Sequence, residues 1–74
     1  MNNQYAVIMV DSTSHAMRIE HVLAMAKLET KMIPVPRHLS SDCGVCVRVL
    51  QEDMPAIRQQ LNKNKVAYNE IVKI

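Results

Sequence analysis

Two short apolar runs constrain this chain most: Tyr5-Ala6-Val7-Ile8-Met9-Val10 and Val45-Cys46-Val47-Arg48-Val49-Leu50. Both are rich in β-branched residues, have polar residues on either side and are short for a helix, so each reads as a strand with a buried face. A helical pattern follows each of them. After the first, Asp11-Ser12-Thr13-Ser14 supplies N-cap candidates. Ala16, Ile19, Val22, Leu23 and Ala26 then recur at helical spacing while Arg18, Glu20, His21 and Lys27 fall elsewhere, which predicts a helix from about Thr13 to about Ala26. After the second run, Gln51-Glu52-Asp53-Met54-Pro55 puts acidic residues in a first turn and a proline where a missing N–H matters little. Met54, Ile57 and Leu61 form the apolar stripe of that helix.

Two weaker strand patterns complete the chain. Residues 28–35 partly alternate, and Thr, Ile and Val favour a strand there, although no glycine marks the break from the preceding helix. Pro34 has no N–H for a ladder, so this strand belongs at a sheet edge or ends there. Asn62-Lys63-Asn64-Lys65 is an exit turn, and residues 66–74 form a last strand. The order β-α-β-β-α-β predicts an α+β, ferredoxin-like two-layer sandwich, with two helices on one face of an antiparallel four-stranded sheet. The first and third strands are central in that arrangement, and the second and fourth are edges. A single domain spanning 1–74 is expected, because a chain of 74 residues buries only roughly 60% of its unfolded surface and supports one modest core. The first strand is apolar on both faces, so the uncovered side of the sheet is expected to pack on a second copy, as a homodimer, or on another protein.

Composition narrows the partners. Apolar residues make up 49% of the chain, with six Met, two Tyr and neither Phe nor Trp, so the core has few rigid anchors. The net charge is +2 with both signs interspersed, which offers no cationic stripe for phosphates and argues against nucleic acid. No apolar run approaches the ~20 residues that span a bilayer, and Met1-Asn2-Asn3-Gln4-Tyr5 lacks the charged start of a secretory signal, so no membrane association and a cytoplasmic location are expected. Cysteines in a reducing compartment are weighed as nucleophile, redox pair or ligand before structural disulfide.

The chemistry-bearing residues gather between Pro34 and Arg48: both cysteines, the only glycine, two of the three prolines and one of the three histidines. Cys43 ends the loop beside Gly44, whose backbone freedom leaves the thiol sterically open, whereas Cys46 lies within the strand. A small buried hydrophobe is the usual fate of a cysteine and suits Cys46. The polar residues before Cys43 argue against burial there. As a redox pair the two are badly placed, since three extended steps of ~3.3 Å put their α-carbons ~10 Å apart on opposite faces, while a disulfide needs ~7 Å or less. Such a pair requires Gly44 to fold the loop back. A zinc site usually needs four ligands at compact spacing, and only His38 is near, so no metal is expected. His15 and His21 are off the same-face helical spacing and read as solvent-facing. Ser40 and Ser41 have no evident general base.

These residues carry a resemblance. Ile33-Pro34-Val35-Pro36-Arg37, then Ser40-Ser41-Asp42-Cys43-Gly44-Val45, with Val47-Arg48-Val49 after, is similar to the signature of the small selenium/sulfur carrier-like family. The likeness extends over nearly the whole chain, including the strand and Ser-Thr turn from Val10 to His15. Lys27 departs from it, standing where the family often has Gly, and so does Cys46, an extra thiol where the residue is usually small. The resemblance implies a carrier or thiol-transfer accessory rather than a stand-alone enzyme, without a cofactor. Cys43 would hold sulfur or selenium as a persulfide or selenosulfide, received from a sulfurtransferase or a selenium-delivery protein. Only a thiolate attacks sulfur well, and Arg37, His38 and Arg48 can supply the positive charge that favours one, against Asp42. The alternative is a non-catalytic interaction or regulatory module that uses the open sheet face, with both cysteines incidental.

Overall fold

The central ladder is set by two strands whose side chains are apolar on alternate positions of both faces. In the computed structural model, which describes residues 4–39 and 44–74, β1 (Tyr5–Met9) pairs antiparallel with β3 (Val45–Leu50), running from Tyr5 opposite Leu50 to Met9 opposite Cys46. β2 (Thr30–Pro34) joins the free side of β3, and β4 (Glu70–Lys73) the free side of β1, both antiparallel. The sheet order β2-β3-β1-β4, with α1 (Thr13–Met25) and α2 (Met54–Lys63), is the expected ferredoxin-like α+β arrangement. Pro34 ends the edge strand β2, where its missing N–H leaves no central ladder bond unmade. Among the described residues, no helix is long and apolar enough to cross a membrane.

Both helices lie on one face. Ala6, Ile8 and Val10 from the first strand and its exit, with Val47 and Val49, bury against Ala16, Ile19 and Leu23 of α1 and Ile57 and Leu61 of α2. The intervening side chains Val7, Met9 and Cys46 form a second cluster on the opposite face, flanked by Ile33 and Val72. That face differs from the bare surface expected. Val35 and Leu39 pack against the second cluster, and Val7 and Cys46 are 0% exposed within the single chain. The β2–β3 connection turns at Pro36–Leu39, where the Leu39 N–H donates to the Pro36 carbonyl at 2.9 Å, and this brings an aliphatic side chain onto the sheet.

The helix ends explain where the outer strands begin. α1 starts at the N-cap Ser12, whose Oγ accepts from the His15 N–H at 3.3 Å. It ends with Lys27 at φ 61°, Lys27 N–H donating to Ala24 at 2.9 Å and Leu28 N–H to Leu23 at 3.0 Å. This is the Schellman cap, in which a left-handed residue after the C-cap lets the next two N–H groups close on orphan carbonyls. α2 repeats it. Lys65 is at φ 53°, its N–H donates to Asn62 at 3.2 Å, and the Val66 N–H donates to Leu61 at 3.0 Å. The break for which no glycine stood as a marker is therefore made by a lysine in a glycine-like conformation. Since Leu28 and Val66 spend their N–H groups on the caps, β2 begins at Thr30 rather than 28 and β4 at Glu70 rather than 66. Before α2, residues Gln51–Asp53 make a separate 3-10 turn, so Glu52 and Asp53 precede the α-helix instead of filling its first turn.

A left-handed backbone is disfavoured for any residue with a Cβ by roughly 1 kcal/mol, and glycine offsets part of that gain through the greater freedom of its unfolded chain. Lys27→Gly is expected to stabilise the fold by about 0.5 kcal/mol, raising the thermal midpoint by about 3 °C, whereas Lys27→Val lowers it. Thermal unfolding followed by circular dichroism distinguishes the two; a lower midpoint for the glycine variant would show that the cap is not strained.

Candidate functional site

The connection from β2 to β3 is closed at its base by backbone. Val35 N–H donates to the Gly44 carbonyl at 3.1 Å, one step beyond the Pro34–Val45 pair that ends the ladder. Gly44 is exposed, has φ 72°, and a Cβ placed on it would meet nothing within 4 Å. Its constraint is thus conformational rather than steric: the left-handed turn returns the chain into β3, and only glycine adopts that region without penalty. Cys43, the expected carrier thiol, lies outside the described residues, as do Ser40, Ser41 and Asp42.

The other residues singled out by sequence fall into two groups. Arg37 and His38 are exposed in the Pro36–Leu39 turn, on the same connection as Gly44. Arg48 is half-buried on β3, with its guanidinium 4.3 Å from the centroid of the Tyr5 ring. Tyr5 pairs with Leu50 at the far end of the strand, so this contact draws the cation away from the Gly44 end. Four extended steps separate Gly44 from Arg48, about 13 Å of strand. Arg37 is accordingly the cation, with His38 beside it, on the connection that carries the Cys43-Gly44 motif. Cys46 occupies a core position on the second sheet face, in contact with the cluster of Val7 and Met9.

Lys31 was not legible as part of any site. It stands directly opposite Arg48 in the β2–β3 register. Met32 packs on the helix side and Ile33 on the second face, so strand alternation puts Lys31 and Arg48 side by side on that second face. Of the two helical histidines, His21 is exposed as expected and His15 is half-buried. An open groove of about 420 Å³ runs between the helices, lined in part by His21, Met25, Lys63 and Asn64, on the opposite side of the sheet from Cys46. Among the described residues no group of three His, Cys, Asp or Glu side chains could hold a metal ion.

Residues 5–73 match the family described as "Putative Se/S carrier protein-like". The chain belongs to that family. The match runs from the first residue of β1 to the last of β4, so it takes in the whole sheet, both helices and the motif between β2 and β3. No curated protein and no solved structure matches the chain. Membership of the Se/S carrier-like family agrees with the likeness carried by Pro34-Val35-Pro36-Arg37 and Cys43-Gly44, and Lys27, where the likeness was expected to break, has the left-handed backbone that a glycine would adopt.

Two measurements check this geometry. In the Cys43→Ser variant the remaining thiol, Cys46, is expected to resist Ellman's reagent under native conditions and to titrate fully in denaturant; rapid native reaction would contradict its burial. Gly44→Ala is expected to lower stability by about 1 kcal/mol despite the open space around its Cα, because the left-handed backbone rather than crowding sets the effect. Chemical denaturation reads that difference, and an unchanged midpoint would contradict it.

Proposed function

We propose that the protein is a chalcogen carrier in which Cys43 accepts a sulfane sulfur, or its selenium counterpart, from a donor protein and hands it to an acceptor. Membership of the Se/S carrier-like family over residues 5–73 carries this reading. Supporting it are the exposed, left-handed Gly44 next to Cys43 in sequence and the exposed Arg37, with His38 beside it, on the same connection. Positive charge near a thiol favours the thiolate, the form that attacks sulfur.

The chemistry needs no external oxidant. The Cys43 thiolate attacks the terminal sulfur of a donor persulfide R–S–SH. A new S–S bond forms to Cys43 as the donor S–S bond breaks, and the donor leaves as the thiolate R–S⁻, taking the bonding electron pair. The proton stays on the transferred sulfur, so Cys43 becomes Cys43–S–SH with no net change in oxidation level. An acceptor thiolate repeats the attack on that outer sulfur and regenerates Cys43. With selenium the outer atom is Se and the steps are the same.

Intact-mass analysis after incubation with a persulfide donor tests the proposal. The wild-type protein is expected to gain one sulfur atom, and Cys43→Ser none. Absence of the adduct, together with slow alkylation of Cys43 at neutral pH, would overturn the carrier and leave a non-catalytic interaction module. Loss of two hydrogens on mild oxidation would instead indicate a Cys43–Cys46 redox pair.

A further inference from the structure

We propose that Lys31 and Arg48, on the second face of the sheet, form a docking surface for an acidic segment of a partner protein. The proposal rests on the carrier reading only for the partner's role as donor or acceptor. Like charges directly opposite each other destabilise an antiparallel pair, yet Lys31 and Arg48 are such a pair. No carboxylate among the described residues forms an ion pair with either. Glu70 shares the face but lies on the far edge strand, separated from β3 by β1, and Glu29 precedes β2 without pairing with Lys31. The exposed Arg37 extends the positive charge along the connection whose Leu39 packs on this same face.

Arg48 is also oriented. Stacked at 4.3 Å over the Tyr5 ring, its guanidinium keeps its in-plane N–H donors available, the geometry that takes a carboxylate in two parallel hydrogen bonds. The occupant follows from what surrounds this pair. Neither Lys31 nor Arg48 lines the inter-helix groove, and a small anion on an open strand face would be held only by a few solvent-screened contacts. An acidic segment engages several cations at once. Single-stranded nucleic acid needs aromatic faces for its bases. The chain has two tyrosines and no other aromatic side chains of that class. Tyr5 is already covered by Arg48, and Tyr68 packs on the helix side.

Fluorescence anisotropy with a labelled decaglutamate peptide at low ionic strength tests the surface on the full chain. Binding is expected to weaken about tenfold in Lys31→Glu/Arg48→Glu and less than about threefold in Lys63→Glu/Lys65→Glu, which changes the net charge equally at the end of α2. Lys31→Gln alters one exposed residue, guards against misfolding of the double variant, and is expected to weaken binding about threefold. Absence of binding by the wild type, equal weakening by both double variants, or tighter binding of a single-stranded oligonucleotide of the same charge would each overturn the proposal. Sulfur loading of Cys43 from a small polysulfide is read on the same variants. Loading that survives while peptide binding falls supports a docking role separate from the thiol; failed loading with peptide binding intact removes the carrier reading and leaves the surface standing.

Discussion

The structure depends on the antiparallel pairing of β1 with β3. The five registered pairs, from Tyr5–Leu50 to Met9–Cys46, fix which side chain goes to which face, and one residue of slippage would send every one to the wrong side. Because both faces of this pair are apolar, the fold has two jobs. The helices cover Ala6, Ile8, Val47 and Val49, and the connection before β3 contributes Val35 and Leu39 to the other side. Side-chain and backbone ties secure the same strand at both ends. Gln51 Nε2 donates to the Tyr5 carbonyl at 2.9 Å, while at the other end Asn69 N–H donates to the Met9 carbonyl at 2.8 Å and Asn69 Nδ2 to Asp11 Oδ1 at 2.7 Å. The edge strand β4 is short, and Asn69, just before it, already ties the chain to the end of β1 and to Asp11.

The two βαβ halves solve the same local problem in the same way. Each helix must stop and return its chain to the sheet, and each does so with leucine at the third residue from its end, lysine in the left-handed region and an apolar residue after it: Leu23, Lys27, Leu28 and Leu61, Lys65, Val66. Leu28 and Val66 pack on the core that holds Leu23 and Leu61, so the cap joins backbone closure to hydrophobic contact. A lysine at this point also places positive charge beside the negative end of the helix dipole, which offsets part of the backbone penalty.

What was legible in the chain was what local pattern decides. β-branched density and Pro34 give the central and edge strands, and helical spacing with Ser12 and Pro55 gives the helices. The late starts of β2 and β4 were missed because Leu28 and Val66 look like strand residues, and only the repeated Leu-to-Lys spacing signals that a cap claims their N–H groups. The cover over the second face was missed for a different reason: Leu39 sits among polar loop residues, and nothing local says that it packs against the Val7, Met9 and Cys46 cluster. Lys31 beside Arg48 is a property of register, invisible until two strands are aligned. At the candidate site the motif itself was readable, along with the burial of Cys46, while the capture of Arg48 by Tyr5 needed three dimensions. Cys43 rests on its motif and its family.

The backbone clamp between Val35 and Gly44 has a consequence for how this molecule can change over time. It completes the hairpin before residues 36–43 are reached, so the ladder does not require a fixed length for the stretch that holds the cysteine motif. The cost of closing a loop rises only slowly with its length, by about 0.6 kcal/mol for each doubling. Insertions there are therefore limited mainly by the need to keep Leu39 over the sheet, and the chemistry displayed between the two strands can diversify while the frame beneath it stays constant.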